Sequence, residues 1–147
     1  MRLSKRTRYG IRLILELAAN YGKKSMTLNE IAKKQDISMK YLSLIIIPLK
    51  SAGLVIASRG AHGGYRLAKS PAEITAADIV NLLEGEVVPV ECLANPSFCT
   101  RSTFCASQVL WERFSQTVSA FFASVTIEDL LKEMREKQKH ANFAYQI

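Results

Sequence analysis

Apolar positions recur every three or four residues along most of this chain, separated by short polar breaks, and that spacing predicts a mainly helical fold. Ile11, Ile14, Leu15 and Ala18 share one face of a predicted helix over residues 4–21, whose other face carries Lys5, Arg8 and Arg12. Gly22-Lys23-Lys24-Ser25 ends it. Thr27 with Glu30 three residues on is a capping-box pattern, opening a helix from Leu28 to about Lys34 that buries Leu28, Ile31 and Ala32. Gln35-Asp36-Ile37 is a turn. Ser38 caps a third helix to about Ser51, with Leu42, Ile45, Ile46 and Leu49 inward. Pro48 removes a bond to the Leu44 carbonyl and should bend the last turns, and Gly53 closes the helix.

The period then changes. Leu54-Val55-Ile56-Ala57 and Tyr65-Arg66-Leu67-Ala68 are short β-prone runs around Gly60-Ala61-His62-Gly63-Gly64, so residues 54–68 read as a hairpin. Pro71 breaks the chain, and Thr75 caps a helix to about Glu84 that buries Ile79, Leu82 and Leu83. Residues 86–106 lose the apolar period. Leu110, Phe114, Val118 and Phe121, with Trp111 and Phe122 beside them, then mark a long helix over Ser107–Ser124. That stripe is more apolar than a small monomer leaves facing water, which predicts a homodimer through this helix. Thr126 opens a short helix, Ile127 to about Glu136, and the last ten residues, 138–147, read as a mobile tail.

Two short helices, a tight turn and a glycine-rich hairpin make a winged helix-turn-helix. The expected fold is mainly α: a DNA-binding unit over residues 1–85, a cysteine loop over 86–106, and a dimerisation helix with a short helix after it over 107–137. A helix fits the major groove and its early side chains reach base edges, which singles out Ser38, Lys40, Tyr41 and Ser43, although Ser38 also has the cap to serve. Arg59 and His62 stand at the tip of the wing, where an arginine can enter a minor groove. Lys5, Arg8 and Arg12 are placed to meet phosphates.

Charge supports that reading. The net charge of +7 is the sum of unlike halves: residues 1–70 hold 14 Lys and Arg against 3 Asp and Glu, and residues 71–147 hold 6 against 10. The first half alone suits a polyanion such as double-stranded operator DNA. No apolar run approaches the roughly 18 residues of a membrane span, and no signal peptide is evident, so a cytoplasmic protein is expected. The residues show no Ser/His/Asp set or carboxylate pair, and His62 and His140 are the only histidines. Neither an enzyme nor a small-molecule substrate is expected.

All three cysteines, Cys92, Cys99 and Cys105, fall in the polar loop. Structural thiols usually scatter through a core, so the clustering suggests a soft-metal or redox site. An odd count fits poorly with a secreted disulfide scaffold.

Met1-Arg2-Leu3-Ser4-Lys5, Arg8-Tyr9-Gly10, Tyr41-Leu42, Leu54-Val55 and above all Ser58-Arg59-Gly60-Ala61-His62-Gly63-Gly64-Tyr65-Arg66-Leu67-Ala68 resemble the bacterial IscR/NsrR/CymR family of transcription regulators. Asp78-Ile79-Val80, Leu83-Glu84-Gly85, Leu110-Trp111 and Thr126-Ile127-Glu128-Asp129-Leu130 extend the resemblance to about residue 134. It implies a homodimeric winged-helix repressor or activator, with long helices crossing at the dimer interface and DNA contact by the recognition helix and Arg59. In the cluster-binding branches three cysteines occupy this loop, which implies an iron–sulfur cluster (2Fe–2S or 4Fe–4S) on Cys92, Cys99 and Cys105. The fourth ligand is open. Gln108 stands where one branch has a histidine, Arg8 where another has an acid, and Glu86 and Glu91 are nearby carboxylates whose simpler reading is solvated loop charge. Zinc, thiol switching without metal, inert cysteines, and control by a partner enzyme are the competing readings. A redox or electron-transfer protein is the alternative outside regulation, and the basic wing argues against it.

Overall fold

The computed structural model describes residues 2–144, with side chains through residue 140. Helix α1 spans Lys5–Ala19, α2 Leu28–Gln35 and α3 Met39–Ser51; strands β1 (Val55–Ser58) and β2 (Gly64–Leu67) follow, then α4 (Ala76–Glu84), the single turn α5 (Glu91–Ala94), α6 (Ala106–Ser124) and α7 (Ile127–Ala144). This is the expected mainly helical architecture with one two-stranded hairpin.

Local chemistry sets the boundaries. Ser4 caps α1 by accepting from the Thr7 amide. Thr27 and Glu30 form the capping box read in the sequence, and Asp36 in the left-handed region (φ 51) stops α2. Ser38 caps α3 through the Tyr41 amide at 3.2 Å, and Pro48 is carried inside the helix. Thr75 with Asp78 caps α4, and Thr126 with Asp129 begins α7 in the same way.

The core is built from α1, α2, α3, α4 and the start of α7. Leu13, Ile14, Leu17, Ile31, Leu42, Ile45, Leu49, Ile74, Ile79 and Ile127 are all but inaccessible to water. Each such side chain contributes about 1.5–3 kcal/mol relative to exposure. Gly10 lets α1 lie directly on α4, since a Cβ there would collide with Leu83. The hairpin pairs Val55 with Leu67 through Ser58 with Gly64. It is tied to the segment before α2 by reciprocal backbone bonds between Met26 and Tyr65 (2.9 and 2.8 Å). Gly64 is required there: its φ is +147 and a Cβ would sit 2.6 Å from the Met26 carbonyl oxygen.

Two expectations change. The last helix does not stop near Glu136 but continues to Ala144, so residues 138–144 of the expected tail are helical; residues 145–147 lie outside the described residues. Lys139 and Glu136 pair along it at 2.8 Å, a support three residues apart that a break would remove. Its first turns also belong to the winged-helix core rather than to a separate dimer unit, with Ile127 and Leu131 buried in the main apolar cluster. Backbone bonds from Ala76 to Val125 and from Ile127 to Ile74, both 2.8 Å, staple the start of α7 to the start of α4.

Candidate nucleic-acid interface and cysteine loop

The recognition helix presents its outward side chains unevenly. Lys40 is exposed. Ser38 is occupied as the cap, and the Ser43 hydroxyl donates back to the Met39 carbonyl at 2.9 Å. Tyr41 is half-buried, its ring edge-on to Tyr9 at 5.7 Å and 88°. Lys5 and Arg8 are exposed on the first turn of α1. Lys5, Tyr9, Asp36, Ile37, Ser38 and Tyr41 line a shallow cleft of about 330 Å³, bringing that lysine to the start of α3.

Arg12, expected beside them, does not stand free. Its guanidinium donates to Gln35 Oε1 at 2.7 Å and to the Gln35 carbonyl, and lies 5.4 Å over the Tyr9 ring. Gln35 in turn donates to the buried carboxylate of Glu16 at 2.5 Å, which Lys34 approaches at 3.4 Å. The arginine thus fixes the turn between α2 and α3. The amphipathic pattern put it on the polar face of α1 and could not show that α2 ends against that face.

Sequence reasoning also missed Met39, Leu44 and Ile47, which are 54, 57 and 59% exposed. The signal was available, since Leu44 and Ile47 fall between the buried Leu42, Ile45, Ile46 and Leu49, and Met39 opens the same helix one turn before them. The wing brings Arg59 and His62 together on an exposed turn closed by a Gly63 amide bond to the Gly60 carbonyl at 2.9 Å. Its base is held by the Ser25 and Ser58 hydroxyls, 3.0 Å apart.

The loop between α4 and α6 contains α5 and two short 3-10 turns, Pro96–Phe98 and Ser102–Phe104. Cys92 lies in α5, Cys99 follows the first turn, and Cys105 is the residue before α6; all three are free thiols of intermediate exposure. The Ser107 hydroxyl, 3.1 Å from Cys105 Sγ, and the Gln108 amide hold the Cys105 thiol below the usual cysteine range. Three soft sulfur donors on one loop fit the chemistry of a thiolate-bound cluster. In the described conformation they do not converge: among the described residues no group of three or more His, Cys, Asp or Glu side chains could hold a metal ion. Cys92 borders a cavity of about 400 Å³ with Gln108, Glu112 and Ser115, and the Gln108 amide is engaged by Glu112 at 3.0 Å. Glu86 and Glu91 are exposed, as the simpler reading of each had it.

Helix α6 has no buried residue. The apolar stripe read as one surface divides into two. Trp111, Val118 and Phe122 are half-buried with Ser115, whose hydroxyl donates to the Val87 carbonyl at 2.9 Å, so this face looks inward. Leu110 and Phe121 are 58 and 62% exposed, and Phe114 and Val109 are exposed beside them.

A recognition helix on a two-helix turn, a glycine-tipped wing and a basic first helix define a winged-helix DNA-binding transcription regulator, not an enzyme. The chain belongs to the Rrf2 family, described as an iron-dependent transcriptional regulator, which matches residues 3–133. The transcriptional regulator CymR of Bacillus subtilis is 39% identical over 130 residues, 88% of this chain and 89% of CymR. The solved structure of CymR, titled the global cysteine regulator of B. subtilis, superimposes with a TM-score of 0.78 at 38% identity, covering 90% of this chain and 98% of that one. The structure of T. potens IscR gives a TM-score of 0.77 at 32% identity, covering 94% and 91%. No helix of the described residues is long and apolar enough to cross a membrane.

Proposed function

We propose that the protein is a homodimeric transcription regulator of an inverted-repeat operator, whose DNA affinity is set by an iron–sulfur cluster held by Cys92, Cys99 and Cys105. The observation that carries the reading is the position of the cysteine loop: it joins α4 of the DNA-binding unit to α6, whose outer apolar face is exposed. Lys40, Arg59, His62, Lys5 and Arg8 meet the duplex, the last two at phosphates, while Ser38, Ser43 and Tyr41 hold the recognition helix and offer its early turns to the groove. Leu110, Phe114 and Phe121 form the contact between copies, and Trp111, Val118 and Phe122 support it from within. Cys92, Cys99 and Cys105 would hold the cluster, which would supply a redox-sensitive centre on the loop. For the loop to act as a switch, its two states must differ in free energy between DNA-competent and incompetent dimers; about 1–3 kcal/mol would change affinity 5–150-fold.

A specific observation favours a second reading, in which the thiols work without a cluster. The cysteines do not converge, and the relative at 39% identity is CymR rather than an IscR. One experiment separates the two. Protein purified anaerobically is assayed for iron, acid-labile sulfide and visible absorption, and operator DNA is titrated with holo protein, apo protein and a Cys92→Ala/Cys99→Ala/Cys105→Ala variant. Stoichiometric iron and sulfide with form-dependent binding supports the cluster. Absence of iron with oxidant-dependent binding supports thiol control, and indifference of every form to DNA refutes both.

A further inference from the structure

The outward face of α3 is unusual for a helix that enters a major groove. Met39, Lys40, Ser43, Leu44 and Ile47 form it, and three of the five are large aliphatic side chains more than half exposed. The polar groups able to read bases by hydrogen bonding are largely engaged at home: the Ser38 hydroxyl caps the helix and the Ser43 hydroxyl bonds the Met39 carbonyl. Lys40 is the remaining cation at the start of this face, and it has no ion-pair partner among the described residues. The same unit carries further exposed cations: Lys5 and Arg8 on α1, with Lys5 lining the cleft at the start of α3, Lys50 at the end of α3, and Arg59 in the wing. An apolar strip on a unit rich in exposed positive charge suits a polyanion with apolar features on its floor. The major groove of DNA has one such feature, the C5 methyl of thymine.

We infer that Leu44 and Ile47 are specificity-determining residues that read thymine methyl groups, with Lys40 beside them contacting a guanine edge. The inference rests on the DNA-binding reading above and adds the chemistry of the half-site. From Lys40 to Ile47 the helix advances about 10 Å at 1.5 Å per residue. Base pairs stack about 3.4 Å apart, so the strip spans roughly three successive pairs. The expected half-site therefore places thymines, on either strand, within about three pairs of a guanine.

The test begins with selection of duplexes from a random library by the full-length protein, followed by binding titrations on the selected site made with thymine or with deoxyuracil at each half-site position. Uracil differs only by the missing methyl. Losing contact with one methyl-sized group should weaken binding about fourfold, the equivalent of about 0.8 kcal/mol. A Leu44→Ser/Ile47→Ser variant, altered only at exposed positions, should bind the two duplexes alike. Equal binding of thymine and uracil duplexes by the unaltered protein, on a site it does select, would overturn the inference and leave the regulator reading standing. Selection of no duplex sequence at all would remove both. The uracil comparison on unaltered protein needs no variant to fold.

Discussion

Glu84, the last residue of α4, gives a stability prediction whose size and pH dependence both follow from geometry. Its carboxylate accepts from the Thr7 hydroxyl at 2.5 Å, from the Ser4 hydroxyl at 2.7 Å and from the Ser4 amide at 3.2 Å. It therefore closes the first turn of α1 and ties that turn to the end of α4. The Ser4 bonds are exposed to water and contribute little. The Thr7 side chain is fully buried; without Glu84 its hydroxyl keeps only the 3.3 Å contact with the Ser4 hydroxyl, and the lost hydrogen bond to a charged acceptor contributes about 1.5–3 kcal/mol. Glu84→Ala should therefore lower the unfolding free energy by about 2 kcal/mol, measured by urea denaturation at pH 7 and fixed protein concentration. The Thr7 hydroxyl first, and then Ser4, holds the Glu84 carboxyl below the usual carboxylate range. A depressed folded pKa contributes stability above the unfolded value of about 4.3, lost as pH falls through the folded value. Wild-type protein should accordingly lose stability between pH 5 and the acid range more steeply than Glu84→Gln, which keeps an acceptor but cannot titrate. An unchanged midpoint for the alanine variant, or parallel acid profiles for wild type and glutamine, would refute the reasoning.

Replacing Arg59 by alanine should weaken operator binding and relax preference near the wing, whereas Lys5→Ala should weaken all duplexes alike and lower the salt slope by about one, as read by titrations at several salt concentrations. Phe114→Glu on the outer face of α6 should shift light-scattering mass from dimer toward monomer at micromolar protein, while far-ultraviolet circular dichroism stays unchanged; a full dimer would remove that face from the interface. Ile127→Ala should cost about 2–5 kcal/mol in urea unfolding, because the side chain is wholly enclosed where α7 joins the core. Arg12→Ala should leave the salt dependence of DNA binding unaltered while lowering stability, since its guanidinium is spent on Gln35; a changed salt slope would return it to the phosphate contacts.

The winged helix-turn-helix was legible because its signals are local. Thr27 with Glu30, Ser38, Thr75 and the glycine run from Gly60 to Gly64 mark ends and turns through bonds to neighbours a few residues away. What escaped depends on contacts distant in sequence. Arg12 meets Gln35 across 23 residues, and Glu84 meets Thr7 across 77. Neither pairing leaves a periodic trace. The long helix illustrates a different limit: the apolar spacing correctly marked α6, but Leu110 and Trp111 are adjacent in sequence and lie on faces of different exposure. Period alone assigns a helix face; it does not say what the face packs against. Chemistry in the cysteine loop was legible as donor type and not as arrangement, because irregular backbone has no period from which to place side chains.

The connections of α6 restrict how any change in the cysteine loop can reach the DNA. Beyond its last turn, Val125 and Ile127 are stapled to the start of α4 by two backbone bonds of 2.8 Å, flanking a bridge between Thr75 and Thr126. Its first turn hangs from the loop, and the Ser115 hydroxyl bond to Val87 ties its middle to the segment that follows α4. One end is thus pinned to the DNA-binding unit while the other follows Cys105. A helix of 19 residues is about 28 Å long, so tightening the loop would swing the N-terminal half of α6 about its tied middle and pinned C-terminal end rather than slide the helix along its axis. In a two-fold dimer joined through Leu110, Phe114 and Phe121, such a swing changes the angle between protomers. Because α3 is rigidly packed on α1 and α4 in each protomer, that angle becomes the separation of the two recognition helices. On the proposed reading, regulation therefore acts on half-site spacing more than on the groove contacts of either half.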